Sequence, residues 1–408
     1  MFNLFYNIII YIALTYSLYY LIMAIFAFMK TKKRKKTTKK NYFAILVAAR
    51  NEENVIGSLI DSLKNQNYDK DRYEINIIIN NCTDNTLNVA KSKDVNIINC
   101  DTKISCKGDA LKYAFNKLKS NSKIDAYLVF DADNVVHPDF ILHMNDSLNY
   151  GFNVAQGTRE TKNLSKSWIS SSYAIYYYLQ NFFFSKARKN IGLSTNINGT
   201  GFMISRKIID KIGFNTYTLT EDIEFSGICA LNGIKIDYVE EAITYDEQPT
   251  TFIVSWHQRM RWTKGTLQCF KLYSKKLISN FFKNFSITNI DLLFLYISPL
   301  VQIISFLVVM INLVIQFFKL DLLQFLDIYI SKNIVSMLIS YITVILGSTF
   351  VVIYNKHKVK EALSGIVLFT VFVFSWLPIN IVCIFKRKVI WSPIRHDNNI
   401  SIQEIIKK

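Results

Sequence analysis

No two cysteines in this chain stand in a Cys-x-x-Cys spacing, and none combines with histidine into a zinc-ligand pattern. The six present, Cys82, Cys100, Cys106, Cys229, Cys269 and Cys383, are therefore expected to be reduced and unpaired, in the core or the membrane region. No nucleic-acid recognition motif accompanies the net charge of +17, which removes the first inference such a charge invites. Nor does a small-residue cleavage site follow the first apolar run, residues 3–29, whose positive charge comes after it rather than before. A secretory signal has the opposite arrangement, so the run reads as an uncleaved anchor with its N-terminus outside, long enough to cross a hydrocarbon core of about 30 Å.

What is present fits a membrane protein carrying a large soluble domain. Of 408 residues, half are hydrophobic and 14% aromatic, with long apolar runs at both ends and an alternating, charged pattern between them. Eight of the eleven residues from Lys30 to Lys40 are Lys or Arg, the usual mark of a cytoplasmic flank beside anionic lipid. The expected organisation is an anchor and basic segment over 1–40, a cytoplasmic domain with interfacial helices over 41–285, a second membrane region over 286–390 and a basic tail over 391–408.

Within the soluble part, strand-like runs over Phe43–Ala49, Ile75–Ile79, Val95–Ile98 and Ala126–Phe130 lead into helix-like segments of ten or more residues. Such alternation predicts an α/β domain with a largely parallel sheet, whose ligands gather at the carboxyl ends of the strands. Polar clusters stand at those ends: Arg50-Asn-Glu-Glu53, Asn80-Asn-Cys-Thr-Asp84 and Asp131-Ala-Asp133. Asp131 and Asp133, in the turn that ends their strand, are a candidate site for Mg²⁺ or Mn²⁺, hard cations that favour carboxylate and phosphate oxygen.

Lys107-Gly108 opens a helix whose N-terminus suits an anion such as a pyrophosphate, although a solvated helix start has the same residues. Asn198-Gly-Thr-Gly201 is a glycine-bearing turn, able to admit a substrate or another backbone closely. In Thr220-Glu-Asp-Ile-Glu224, Thr220 is placed to cap a helix with Asp222 in its first turn; capping alone accounts for the acids. Gln258, Arg261 and Trp262 fall at i, i+3 and i+4, one helical face carrying an amide, a guanidinium and an indole. Phosphate and sugar binding, or a helix resting on the membrane interface, both suit that face.

The aromatic stretch from Trp168 to Phe184 reads as interfacial or packed under the membrane region. Three more spans are expected at about 292–318, 334–354 and 363–385. Their number conflicts with the basic Lys386-Arg-Lys388 and Arg395, which belong inside, so one segment is expected to be re-entrant or interfacial, with Pro378 and Leu320–Ile330 the places to look.

Taken together, Ala49-Arg-Asn-Glu-Glu53, Asn80 to Thr86, Lys107-Gly108, Asp131-Ala-Asp133, Asn198-Gly-Thr-Gly201, Thr220-Glu-Asp222 and Gln258-Arg-Met-Arg-Trp262 resemble, in the same order, the processive membrane-integrated family 2 glycosyltransferases: the cellulose, hyaluronan and poly-N-acetylglucosamine synthases. The resemblance covers roughly residues 41–270. It implies a nucleotide-diphospho-sugar transferase domain of the GT-A fold inserted between transmembrane helices, on a multi-pass protein of the cell membrane. The activity implied is inverting β-transfer from a UDP-sugar to a growing polysaccharide, with Mg²⁺ or Mn²⁺ as cofactor. By the same resemblance Glu52, Glu53, Asn80 and Asp84 surround base and ribose, Lys107, Gln258 and Arg261 the diphosphate, and Asp131 and Asp133 the metal. Asn198, Gly199, Thr200, Gly201 and Trp262 face the acceptor, and Asp222, with Glu221 beside it, supplies the general base. Asn80 departs from the family, which commonly has Asp there. Two rival functions stand beside this one: a non-processive transferase adding one sugar to a membrane lipid, and a catalytically silent membrane scaffold.

Overall fold

The computed structural model describes residues 2–32, 34–101, 104, 106–319, 331–386, 389 and 396–406. Leu320–Ile330 and Arg387, Lys388 and Arg395, on which part of the topology question turned, lie outside them.

Helix α1 (Phe2–Ile25) leads through the basic segment into an eight-stranded sheet of order β3-β2-β1-β4-β7-β6-β8-β5. Its strands are β1 (Phe43–Ala49), β2 (Tyr73–Ile79), β3 (Asn96–Asn99), β4 (Ala126–Asp131), β5 (Val135–Val136), β6 (Val154–Thr161), β7 (Phe202–Ser205) and β8 (Ile236–Asp246). Between them run α2 (Ile56–Lys64), α3 (Thr86–Ser92), α4 (Lys107–Leu118), α5 (Phe140–Asn149), α6 (Trp168–Leu179), α7 (Ala187–Asn190), α8 (Arg206–Ile212) and α9 (Glu221–Leu231).

β1 is an unbroken apolar run because both its faces are covered. Phe43, Ile45 and Val47 enter one core with Leu59, Ile60 and Phe140 of α2 and α5. Ala44 and Leu46 enter the other, with Leu111 and Phe115 of α4. Side chains of a strand alternate between faces, so one strand serves both cores.

Register then decides where the site lies. Ala48 pairs with Asp131 and Ala49 with Ile79, so β1, β2 and β4 end level and their polar clusters share one edge. The sheet is mixed rather than largely parallel: β7 runs antiparallel between β4 and β6, and β5 antiparallel to β8. The chain enters β7 after the long helical excursion of α6 and α7, and the reversed direction sets the Asn198–Gly201 turn beside the end of β4. Gly201 N donates to Val129 O at 2.9 Å.

After β8 come α10 (Phe252–Asn284), α11 (Ile287–Lys319), α12 (Ser331–Tyr354), α13 (Val359–Phe374), α14 (Trp376–Phe385) and the short α15 (Ile402–Ile406). Among the described residues, four helical stretches are able by length and composition to cross a membrane: Asn7–Phe28, Ile287–Ile315, Asn333–Tyr354 and Val359–Phe385, the last combining α13 and α14. The aromatic α6 is buried against this region, its Ile169, Tyr173 and Tyr177 clustering with Val351, Ile366, Phe369 and Phe372.

Candidate active site

The loop after β1 and the loop after β2 are bonded side chain to backbone. Glu52 N donates to Thr86 Oγ1 at 2.8 Å, Glu53 N to Asp84 Oδ2 at 3.1 Å, and Asn85 N to Glu53 Oε2 at 2.8 Å. Asn51 and Asn81 take left-handed φ of 59° and 48°, conformations asparagine tolerates better than most residues. Asn80 is buried beside them, and its Oδ1 has no partner, leaving an acceptor free for a ligand donor.

At the end of β4 the two carboxylates part company. Asp131 pairs with Lys107 Nζ, which also donates to Gly199 O at 2.6 Å. The strand ends at Asp131, so alternation stops there and Asp133 meets other partners. Its Oδ2 accepts from Glu247 N at 3.1 Å and stands 3.9 Å from His396 Nε2. The other ring nitrogen, Nδ1, lies 2.9 Å from Glu52 Oε2, so the imidazole bridges the first and fourth strand ends. Burial opposes charge on His396, but Asp133 and Glu52 outweigh it and push the imidazole up to about 9. Burial likewise works against ionisation of Asp133, yet His396 and Lys162 hold its carboxyl below the ordinary range. Among the described residues no three His, Cys, Asp or Glu side chains form a ready-made metal cage.

Across from this lies the start of α9. Thr220 holds the N-cap position without a capping bond from its side chain; its hydroxyl is buried and unpartnered. A β-carbon on Gly108 would lie 3.2 Å from Glu221 Cβ and 2.7 Å from Thr216 Oγ1, so the glycine after Lys107 lets α4 approach the 216–221 segment. Gly199 has φ +94°, and a β-carbon on it would stand 3.3 Å from Asp222 Oδ2, which puts that carboxylate directly over the glycine turn. Desolvation and the neighbouring Asp222 push Glu221 up to about 7, against Lys107 and Arg261. Asp222 is also raised, chiefly by burial.

The three residues on one face of α10 have different surroundings. Arg261 Nη1 donates to Leu219 O at 3.0 Å, while Gln258 Oε1 is buried without a partner. Trp262 stands among Tyr173, Tyr177 and Trp376, with ring centroids 5.9, 6.5 and 6.5 Å away. Asn198 and Thr200 lie in the turn, Asn198 Oδ1 unpartnered and Thr200 Oγ1 receiving Asp131 N at 3.1 Å.

Several site residues carried no sequence signal. Arg159 on β6 pairs with Asp246 at the end of β8 and donates to Asn198 O at 2.9 Å, fixing the glycine turn. Lys162, Glu247 and His396 surround Asp133; Lys162 Nζ donates to Asn398 O at 3.0 Å and Glu247 receives Asn398 N at 3.0 Å. Metal-ligand spacing in the sequence points to none of them, since His396 stands 344 residues from Glu52.

A mixed sheet with an Asp-x-Asp at the level ends of its parallel strands, and an acidic helix start facing it across a glycine turn, defines a glycosyltransferase of the GT-A fold. Residues 40–265 match the family described as "Glycosyltransferase like family 2", and the chain belongs to it.

Curated relatives include a beta-monoglucosyldiacylglycerol synthase of Nostoc sp., 27% identical over 243 residues, covering 59% of this chain and 52% of that one. A probable glycosyltransferase of Bacillus subtilis is 29% identical over 256 residues, 59% of this chain and 60% of its own. A poly-beta-1,6-N-acetyl-D-glucosamine synthase of Staphylococcus aureus is 25% identical over 315 residues, 74% and 73% of the two chains. The matches to the first two relatives span only about half to three-fifths of those proteins. Among solved structures, a mannosyltransferase from Pyrobaculum calidifontis in complex with GDP-Man and Mn²⁺ has the same fold, with a TM-score of 0.61 at 13% identity over 95% of this chain and 100% of that one.

Proposed function

We propose that this chain is an inverting glycosyltransferase that moves a sugar from a UDP-sugar to an acceptor held at the membrane surface. The observation that carries the reading is Asp222, a half-buried, raised carboxylate set over the Gly199 turn and faced by Lys107 and Arg261. Such a carboxylate is suited to take the proton from an acceptor hydroxyl as it attacks the anomeric carbon, on the face opposite the departing diphosphate. Lys107 and Arg261 place positive charge where the leaving group gathers negative charge. One displacement inverts configuration, so an α-linked donor gives a β-linked product.

A divalent cation fits the donor set. Asp133 and His396 present oxygen and nitrogen 3.9 Å apart, with Glu52 orienting the ring, and Mn²⁺ accepts both ligand types once it displaces the proton that these two carboxylates hold on the imidazole. Bound there with diphosphate oxygens completing its shell, Mg²⁺ or Mn²⁺ would neutralise leaving-group charge. The Mn²⁺ and GDP-Man of the mannosyltransferase sharing this fold support a nucleotide-sugar and cation pair. Asn80, with its free acceptor, meets the base end of the donor.

For the acceptor, the Gln258-Arg-Met-Arg-Trp262 resemblance favours a growing polysaccharide, and a relative named as a polysaccharide synthase supports it. A membrane lipid acceptor, in line with the relatives named as glycolipid synthases, is favoured by the packing of Trp262. Boxed by Tyr173, Tyr177 and Trp376, that indole is part of an aromatic layer rather than a freestanding sugar platform.

Two measurements separate these. Metal-dependent UDP release is screened with UDP-glucose, UDP-N-acetylglucosamine, UDP-galactose and UDP-glucuronate; release with none, by folded protein, leaves the silent scaffold. Product length then decides the acceptor. Full-length polymer from Trp262→Leu sinks a stacking role, a ladder lost in Trp262→Leu but kept in Trp262→Phe supports the polymer, and a single lipid adduct from the wild type supports the lipid.

A further inference from the structure

We infer that the last apolar stretch, Val359–Phe385, does not cross the membrane: it lies along the surface of the leaflet nearest the catalytic domain, with lipid as the partner of its exposed side.

The other three long apolar helices each have one end on the catalytic domain and one end away from it. α1 arrives through Phe28, whose ring is 5.3 Å from Phe182, and Asn190 Nδ2 donates to Met29 O at 2.9 Å. α11 leaves through Asp291, which pairs with the buried Arg188, and Tyr296, whose hydroxyl donates to Ile223 O at 2.8 Å. α12 returns through Tyr354, whose hydroxyl donates to Glu240 at 3.0 Å.

Val359–Phe385 has both ends there. Just before it, His357 Nε2 lies 3.4 Å from Glu160 Oε2, on the strand that carries Arg159, and its ring stacks on Tyr178 at 5.4 Å. At its other end, Lys264 Nζ of α10 donates to Cys383 O at 3.0 Å and to Lys386 O at 2.7 Å. A little further on, His396 reaches Glu52 at the donor end of the sheet. A helix that crossed once would put these two sets of contacts on opposite sides of a bilayer, and the catalytic domain is on only one of them.

The middle is held as well. Where α13 gives way to α14, the fully buried Arg259 of α10 donates to Phe372 O at 3.0 Å and Ser375 Oγ at 2.7 Å, with its guanidinium 4.4 Å from the Phe372 ring. A crossing would put this cation at the bilayer centre, where charge is least tolerated. The α13 face bearing Ala362, Gly365, Ile366 and Phe369 is buried, Gly365 so close to Ser171 of α6 that a β-carbon would lie 2.5 Å from Ser171 Cβ. The opposite face, Leu363, Val367, Val371 and Phe374, is exposed, and its spacing makes one continuous apolar stripe of the kind that rests in an interface. Continuity with α12 fixes the occupant as lipid: the stripe begins only a few residues after a helix able to cross the bilayer.

The test is independent of catalysis. One tag is placed at the C-terminus and another after the exposed Gly151 of the catalytic domain, and protease is added to one face of sealed membrane vesicles, right-side-out and inverted. Both tags should be lost from the same face; loss from opposite faces overturns the inference. Depth is read from Val371→Arg, near the middle of the stretch, against Val309→Arg in α11. Membrane-extracted yield should hold for the first and fall for the second, and an equal fall for both overturns the surface placement even if the tags agree. Because neither readout needs UDP release, failure here leaves the glycosyltransferase reading standing, and the reverse.

Discussion

Gly199 and Asp222 come from different elements, yet a single β-carbon on the glycine would sit 3.3 Å from the Asp222 carboxylate. The residue without a side chain sets the clearance beneath that carboxylate, where on the proposed function the acceptor hydroxyl has to fit.

Gly199→Ala is therefore expected to act twice. At φ +94° an alanine is strained by about 1–3 kcal/mol, and its methyl crowds the carboxylate. Thermal unfolding should show a lowered Tm, and transfer should fall further than UDP binding. A variant that loses stability but transfers normally would remove the glycine from the acceptor site.

Asp222→Asn keeps the shape and removes the base. Transfer should drop about 10²- to 10⁴-fold with UDP affinity nearly unchanged. Near-normal turnover would exclude Asp222 from proton abstraction.

The pH profile follows from Glu221, pushed up to about 7 by burial and by Asp222. Its raised value stabilises the fold while it is protonated; that contribution is complete below its ordinary 4.5 and is lost as pH rises through about 7. Activity has the opposite sense, because the acidic pair must give up its proton to act as base, so the rate should climb as pH rises through about 7. Glu221→Gln removes a negative neighbour and should move that rise to lower pH, with the same donor affinity. A rise that stays in place would separate Glu221 from the base.

Asp133→Ala should weaken UDP binding by about 10- to 100-fold in the presence of Mn²⁺ and leave it unchanged in chelator. His396→Ala should do the same in smaller measure, measured by calorimetry. Equal loss with and without cation would make both residues direct or structural contacts.

The four strands foreseen from sequence lie within two residues of their places, because parallel strands covered on both faces are continuous apolar runs ended by polar clusters. β6 is harder to read: its buried polar positions, Gln156, Thr158 and Glu160, break that pattern because they are satisfied by distant groups such as Thr200 O, Tyr238 and His357. Asp131 and Asp133 were legible as a pair, whereas their separation into a lysine partner and a histidine partner depends on where β4 stops. Arg159, Asp246 and His396 were silent for a different reason. Each is ordinary in its own neighbourhood and becomes part of the site only when β8 and the chain after α14 come back to it.

The bond between Glu52 and His396 also sets a clock. They are 344 residues apart in the chain, and at about 5–20 residues per second a ribosome needs some tens of seconds to travel from one to the other. In that interval α11 and α12, both long and apolar enough to cross a membrane, are made. The contact between Glu52 and His396 forms only afterwards, so on the proposed function a nascent domain still waiting for those helices has no complete place to hold a nucleotide sugar.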